Sequence, residues 1–158
     1  MIFVTVGTTA FDALVRGMDE LAPDLGERVI CQIGSGSYIP RQCDWFRFAP
    51  SLLELFQRAR LVVSHGGQGS IMEAVRSGKP LVGVSNPDRI DRHQDDILGR
   101  LEADQFLIWC RSLDELGDCL ARAGSATFQA YSEPPCRIHL VIAEFLAQRC
   151  RPRATTAV

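Results

Sequence analysis

The chain has 158 residues, of which 46% are hydrophobic and 23% are charged, a composition typical of one globular domain with a substantial core. The formal net charge of −2 gives no electrostatic basis for binding nucleic acid. No apolar run approaches the roughly 18 residues that a membrane-spanning helix requires.

Short apolar strands alternate with amphipathic helices from the first residue onward. Met1 to Val6 predicts a strand and not a signal peptide, because it lacks a basic leader and a cleavage site. The helical spacing of apolar residues between Phe11 and Ala22 predicts the first helix. Further strands are predicted at 28–33, 45–48, 61–63, 81–84 and 106–109, with a helix after each of the last four. This alternation predicts an α/β fold with a single Rossmann-like, doubly wound parallel sheet.

The α/β domain is predicted to occupy residues 1–124. Residues 125–158 are assigned to a linker, a C-terminal helix and a basic tail. Six cysteines are present and none forms a Cys-x-x-Cys pair, so their spacing does not indicate a zinc site. We therefore expect reduced thiols in a cytosolic protein.

Polar residues at two helix starts indicate caps. Thr8 and Thr9 precede the first helix and either cap it or face a phosphate across the cleft. Ser112 and Glu115 have the spacing of a capping box, which predicts a helix that buries Leu113 and the apolar residues after it.

A glycine-rich turn joins the strand at 61–63 to the next helix, with three glycines among residues 66–69. Such a turn lets a ligand approach the backbone, and the free N–H groups of the helix start favour an anion. Ser70 lies in the first helical turn, and Glu73 follows one turn later on the same face. This arrangement suits a nucleotide, with phosphates at the turn and ribose hydroxyls at the carboxylate.

The glycine-rich turn is compatible with a simpler structural role, but not with two other phosphate-binding motifs. A tight corner without a ligand remains an alternative, because short motifs give many false positives. A P-loop is excluded, since no Gly-Lys-Ser/Thr follows. The dinucleotide fingerprint is also excluded, because Met72 stands in place of its third glycine.

Polar loops also follow the other predicted strands, at 7–9, 34–37 and 86–94. In doubly wound folds ligands bind beyond the carboxyl ends of the strands, so these loops predict one shared site. His65 either bonds to the backbone or donates to a diphosphate. His93 and Gln94 either only begin a helix or bind a sugar, whose hydroxyls suit an amide that both donates and accepts.

The order His65-x-Gly67-x-x-Ser70-x-x-Glu73 resembles the donor-binding signature of UDP-glycosyltransferases with the two-domain GT-B architecture. Met1 to about Leu120 is similar to glycosyltransferase family 28 carboxyl-terminal domains. It is most similar to the small catalytic subunits of split enzymes, both bacterial exopolysaccharide subunits and the cytosolic subunit of the eukaryotic chitobiosyldiphosphodolichol-forming UDP-GlcNAc transferase. The segments that carry this resemblance are 3–12, 78–82, Asn86 and 93–94.

The resemblance implies the donor-binding half of a GT-B enzyme. The diphosphate would be bound by Gly7, Thr8, Thr9, His65, Gly66, Gly67, Gln68, Gly69 and Ser70. The ribose would be bound by Glu73, and the donor sugar by Asn86, His93 and Gln94. No cofactor or metal is expected, because no Asp-x-Asp motif is present and helix ends would stabilise the diphosphate instead.

The implied reaction is an inverting transfer from a UDP-sugar to a lipid-linked acceptor, with no catalytic base evident in this chain. A membrane-anchored partner subunit would supply that base and recruit this cytoplasmic chain to the membrane. A non-catalytic nucleotide-sugar-binding module that regulates a partner is the alternative. The sugar stays open, because His93 replaces an aspartate of some relatives and Ile97 an asparagine of the peptidoglycan enzyme.

The last predicted helix follows Pro134 and Pro135. Its apolar stripe on one face comprises Ile138, Val141, Ile142, Phe145 and Leu146. This stripe either packs on the sheet of this domain or docks onto a partner. The basic tail that follows contains Arg149, Arg151 and Arg153, which are expected to lie against anionic lipid.

Overall fold

A computed structural model of the chain describes residues 1–87 and 93–149. Its six strands form one parallel sheet in the order β3-β2-β1-β4-β5-β6. The strands are β1 Ile2–Thr5, β2 Val29–Gln32, β3 Asp44–Phe46, β4 Leu61–His65, β5 Leu81–Val84 and β6 Ile108–Cys110. The strand order reverses beside β1, as in Rossmann folds, which confirms the predicted doubly wound sheet.

Helices cover both faces of the sheet. They are α1 Asp12–Leu21, α2 Leu53–Arg58, α3 Gln68–Arg76, α4 His93–Ala103, α5 Leu116–Ser125 and α6 Ile138–Arg149. Two apolar clusters flank the sheet: α1 and α5 pack in one, and α2, α3 and α4 pack in the other. The strands β1, β2, β4 and β5 are buried along their whole length, which explains why apolar residues dominate their sequences, whereas Asp44 and Trp45 of β3 are exposed.

The ends of several strands differ from the prediction by one or two residues, and hydrogen bonds explain two of these differences. The last strand was predicted at 106–109, but the Phe106 N–H donates to the Leu101 carbonyl at 2.9 Å and closes the end of α4. Gln105 makes this possible by adopting a left-handed φ of 60°. The third strand ends at Phe46, after its carbonyl accepts the Ile33 N–H at 2.9 Å. The start of β6 is therefore set by the hydrogen bonds that end α4, and the spacing of apolar residues does not reveal these bonds.

The predicted cap at the first helix is wrong. The residue before α1 is Phe11, which makes no side-chain capping bond, and the Thr9 hydroxyl donates to the Val6 carbonyl at 3.0 Å. The capping box at the fifth helix is only half formed. Ser112 accepts the Asp114 N–H at 3.3 Å and starts a 3-10 turn, Leu113–Glu115, so the α-helix begins later.

No residue of the α6 helix is buried. Six of its apolar side chains are between 50% and 60% exposed: Ile138, Leu140, Val141, Ile142, Phe145 and Leu146. The alternative in which this helix packs on its own sheet is therefore wrong. Leu140 lies outside the predicted stripe and extends the apolar surface further round the helix. Among the described residues, no helix has the length and apolarity needed to cross a bilayer.

Several predictions fall outside the described residues. They are the polar segment 88–92, Cys150, and the tail arginines Arg151 and Arg153. The described cysteines are all free thiols, and four of them are buried in the core that contains α1 and α5. Burial raises the pKa of Cys110 to about 12, so this thiol stays protonated.

Asp19 is a buried carboxylate that fixes the loop between β2 and β3. It is 3% exposed and accepts the Tyr38 hydroxyl at 2.7 Å and the Arg41, Gln42 and Cys43 N–H groups at 2.7–3.0 Å. Burial alone would raise the pKa of this carboxyl, but these hydrogen bonds outweigh burial and lower it. The loop therefore depends on Asp19 in its ionised form.

We expect Asp19→Asn to lower the free energy of unfolding at pH 7 by about 1.5–3 kcal/mol, because hydrogen bonds to a charged acceptor are lost. The folded-state pKa is lowered, so the stabilisation is present above the unfolded carboxyl pKa of about 3.9. It is lost as the pH falls through the folded value. Urea unfolding from pH 7 to pH 3 measures both effects, and the gap in unfolding free energy between variant and wild type should narrow toward pH 3.

The matched control is Glu20→Gln, which removes an exposed carboxylate from the neighbouring position of α1. This control should unfold like the wild type at both pH values. Equal stability of Asp19→Asn and wild type at pH 7 would contradict the role of Asp19.

Candidate functional site

The carboxyl ends of β1 and β4 bring three predicted residues into contact. Thr5 of β1 is in register with Ser64 of β4, so the segments that follow the two strands leave the sheet at the same level. Gly7 has a left-handed φ of 63°, and a Cβ there would lie 2.8 Å from Ser70 Oγ and 2.9 Å from His65 Cε1. Only glycine fits between these two side chains, so the turn after β1 packs directly on the signature turn.

The His65 ring lies beneath the glycine-rich turn. The residue is 5% exposed, and its ring is enclosed by Gly7 on one side and Gly67 on the other. A Cβ on Gly67 would overlap with His65 Nε2. The imidazole therefore packs against the inner side of the turn. A ligand on the outer side of the turn would contact the backbone of the turn before it contacts this ring.

The N-terminus of α3 is open to solvent. The helix begins at Gln68, and the preceding residue, Gly67, supplies no side-chain cap. Gln68 and Gly69 are exposed, and a Cβ on Gly69 would meet nothing within 4 Å. The first N–H groups of a helix have no intrahelical acceptor, so this end presents free donors and a positive dipole. It has the geometry of an anion-binding helix start.

The buried side of α3 is formed by the residues that the sequence predicted, Ile71, Ala74 and Val75. This orientation leaves Glu73 exposed, three residues after the half-buried Ser70. Positions three apart are neighbours on a helix surface. The carboxylate therefore projects from the helix one turn away from the open end.

The predicted sugar-binding residues separate into two groups. Asn86 and Gln94 are buried together, and the Asn86 N–H donates to Gln94 Oε1 at 2.8 Å. Asn86 Nδ2 also donates to the Ala10 carbonyl at 3.2 Å, which ties the β5 loop to the β1 loop. His93, in contrast, is exposed at the first position of α4.

The loop at 34–37 is held by the protein itself. The Arg47 guanidinium donates to the carbonyls of Gly34 and Gly36 at 3.1 and 2.8 Å. The Asp12 carboxylate accepts the Ser37 N–H at 3.0 Å. The sequence placed this loop among the candidate ligand contacts, whereas these hydrogen bonds give it a structural role. Of the two threonines before α1, Thr8 is the exposed one.

A cavity of about 630 Å³ opens beside Asn86 and Gln94 at the ends of β5 and β6. Its volume lies within the range of about 300–1,000 Å³ that is usual for ligand pockets. Part of its wall was missed by sequence reasoning: Trp109, Arg111, Ser112 and Asp114. The sequence does contain an indication of this wall, because Arg111 and Ser112 directly follow a strand, as the other candidate loops do. Among the described residues, no three His, Cys, Asp or Glu side chains are grouped as metal ligands.

Sequence comparison relates the chain to known proteins. The glycosyltransferase family 28 C-terminal domain matches residues 1–97. The human UDP-N-acetylglucosamine transferase subunit ALG13 is 40% identical over 124 residues, which are 69% of this chain and 11% of that protein. The mouse protein of the same name is 36% identical over 121 residues, 68% of this chain and 10% of that one. The match thus spans about a tenth of the length of these relatives.

Solved structures share the fold. An NMR structure of ALG13 superposes with a TM-score of 0.62 at 21% identity, over 89% of this chain and 94% of that chain. MurG of Acinetobacter baumannii gives 0.59 at 17% identity, over 90% and 48%. The glycosyltransferase of kitacinnamycin gives 0.63 at 19% identity, over 79% and 35%. The fold is therefore that of GT-B glycosyltransferases, of which this chain matches one part.

Two glycines of the turn are expected to respond differently to alanine. Gly67→Ala should lower the free energy of unfolding by about 1–3 kcal/mol, because the added methyl overlaps with the buried His65 ring. Gly69→Ala should leave stability unchanged or raise it by up to about 1 kcal/mol, because the methyl meets open space in a helix. Urea unfolding compares the two variants, and equal losses would contradict the described packing.

Proposed function

The chain belongs to the glycosyltransferase family 28 C-terminal domain family, and on that premise we propose that it is the donor-binding catalytic subunit of a UDP-sugar glycosyltransferase. The observation that carries this proposal is the open N-terminus of α3, against which Gly7 and Ser70 converge at the carboxyl edge of the sheet. An exposed carboxylate, Glu73, lies one turn above it. We assign the diphosphate to the helix start and the ribose to this carboxylate.

In this proposal the diphosphate lies across the open helix start. The N–H groups of residues 68–70 donate to it, and Gly7 and the exposed Thr8 contact it from the β1 side. His65 acts from beneath the turn, where its buried ring fixes the position of the backbone donors. Preorganised donors of this kind stabilise the charge that develops on the departing UDP. The chain would then need no metal ion for this step.

The sugar would lie on the neighbouring side of the sheet, toward β5. Gln94 Oε1 already accepts the Asn86 N–H, so the amide nitrogen of Gln94 remains to donate to a sugar hydroxyl. His93 is exposed beside it at the start of α4. The sugar would then lie at the cavity that Asn86 and Gln94 line.

The proposed reaction is attack of an acceptor hydroxyl on the anomeric carbon, with inversion and departure of UDP. The acceptor is a lipid-linked saccharide, and its proton passes to a base on a membrane-anchored partner subunit. The chain would work at the cytoplasmic face of the membrane. The relatives' names make UDP-N-acetylglucosamine the first donor to test. A non-catalytic module would use the same residues, and sugar transfer in the presence of the partner separates the two functions.

The test of the donor site is the affinity for UDP of the Glu73→Ala variant. We expect binding to weaken by about 1.5–3 kcal/mol, because charge-assisted hydrogen bonds to the ribose are lost. Titration calorimetry with the full chain should give the same UDP affinity in EDTA as in magnesium. An unchanged affinity for UDP in the variant would contradict the assignment of the ribose to Glu73. Binding of UDP only in the presence of a divalent metal would contradict the metal-free site.

Glu20→Ala is the matched control, since Glu20 is also an exposed helical glutamate but lies on α1. It should bind UDP like the wild type. Both variants should melt like the wild type, because exposed glutamates add little to stability.

The exposed apolar surface of α6 supports the existence of a partner. Contiguous exposed apolar patches mark sites of protein or membrane interaction. The described part of the helix has 12 residues and is about 18 Å long, shorter than the roughly 30 Å hydrocarbon core of a bilayer. A groove on a partner protein would cover it better than lipid alone. We therefore assign α6 to docking of the membrane-anchored subunit.

A chain that ends at Cys136 tests this assignment. It lacks α6 but keeps the ion pair between Arg76 and Glu133, at 2.6 Å. We expect it to melt like the full chain, because α6 buries nothing, and to lose co-purification with the candidate partner. In the full chain Phe145→Asp should also lose the partner, whereas the exposed neighbour Glu144→Gln should retain it. Retained co-purification and sugar transfer by the shortened chain would contradict the docking role.

A further inference from the structure

The far wall of the cavity is built by the segment between β6 and α5, which has no role in the proposal above. Trp109, Arg111, Ser112 and Asp114 line it, opposite Asn86 and Gln94. Gln94 is 7% exposed, and its amide nitrogen has no hydrogen-bond partner among the described residues. An unpaired amide nitrogen on a residue that lines a cavity is available to a polar ligand there.

The positive charge on this wall is already matched. Arg111 Nη2 donates to Glu102 Oε2 at 2.7 Å, and the guanidinium lies over the Trp109 ring at 4.1 Å. Glu102 Oε1 accepts the Trp109 N–H at 3.0 Å, and Trp109 Nε1 donates to Ser85 Oγ at 3.4 Å. This network fixes Arg111 in one place and pairs its charge with that of Glu102.

The negative charge of Asp114 has no such match. Among residues 1–87 and 93–149, no cation forms an ion pair with Asp114, whose carboxylate accepts only the Ser112 hydroxyl, at 3.3 Å. Asp114 and Glu115 both occupy the first turn after β6 and offset the positive dipole of that helix start. Asp114 is exposed and unpaired within the described chain, so its part of the wall disfavours a second carboxylate close to it.

We propose that the β6–α5 segment is the specificity wall of the donor-sugar site, and that Asp114 selects uncharged sugars over hexuronic acids. This inference rests on the proposed donor site and names the class of sugar that the site accepts. A neutral hexose presents hydroxyls that donate to a carboxylate, whereas a hexuronic acid presents a second carboxylate to the first. Like charges that face each other lower affinity and so reject the wrong ligand.

The experiment compares three ligands with the full chain by titration calorimetry: UDP, UDP-glucose and UDP-glucuronic acid. The last two differ only at C6, where a hydroxymethyl group is replaced by a carboxylate. We expect the wild type to bind UDP-glucose about tenfold more tightly than UDP-glucuronic acid. Asp114→Asn should reduce this ratio by at least about threefold, and Asp114→Lys should abolish it, with the affinity for UDP unchanged.

The matched control is Glu115→Gln, which removes the neighbouring acid of the same helical turn but does not line the cavity. It should keep the wild-type ratio. A wild type that prefers UDP-glucuronic acid, or an Asp114→Lys variant with an unchanged ratio and normal UDP affinity, would overturn the specificity role alone. Loss of UDP binding in the wild type would overturn the donor site and this inference with it.

Discussion

The pairing of β1 with β4 is the contact on which the rest of the site depends. Because the two strands are parallel and in register, the turns after them emerge at one level and meet. Their meeting leaves no room for a Cβ at Gly7, and it buries the His65 ring between two glycines. The helix that follows β4 therefore begins at a fixed place, with its first N–H groups directed outward.

The neighbouring loops are fixed to this centre by a few hydrogen bonds. Asn86 joins the β5 loop to Ala10 of the β1 loop, and Gln94 brings the start of α4 to the same place. On the other side, Arg47 and Asp12 hold the loop after β2. The carboxyl edge of the sheet is thus a prearranged surface, in which each loop is positioned by its neighbour and a ligand has little to reorganise.

Apolar patterning was sufficient to predict the six strands, the six helices and the meeting of the polar loops at one edge. It could not predict features set by hydrogen bonds between distant residues. Asp19 has the sequence context of a solvated helical acid, yet it anchors a loop more than twenty residues away. The Thr9 hydroxyl bonds backwards to Val6 and so cannot cap α1. The wall at Arg111 depends on Glu102, whose contact with β6 arises only once the sheet has formed.

The exposed apolar surface of α6 affects the amount of this protein that a cell can maintain. Its six exposed apolar side chains form a surface through which copies of the chain can associate non-specifically. A copy that finds no cover for this helix is at risk of aggregation and of removal by proteases, even though its sheet is intact. The steady amount of the protein would then follow the supply of whatever covers the helix, so that synthesis of the two would have to be balanced.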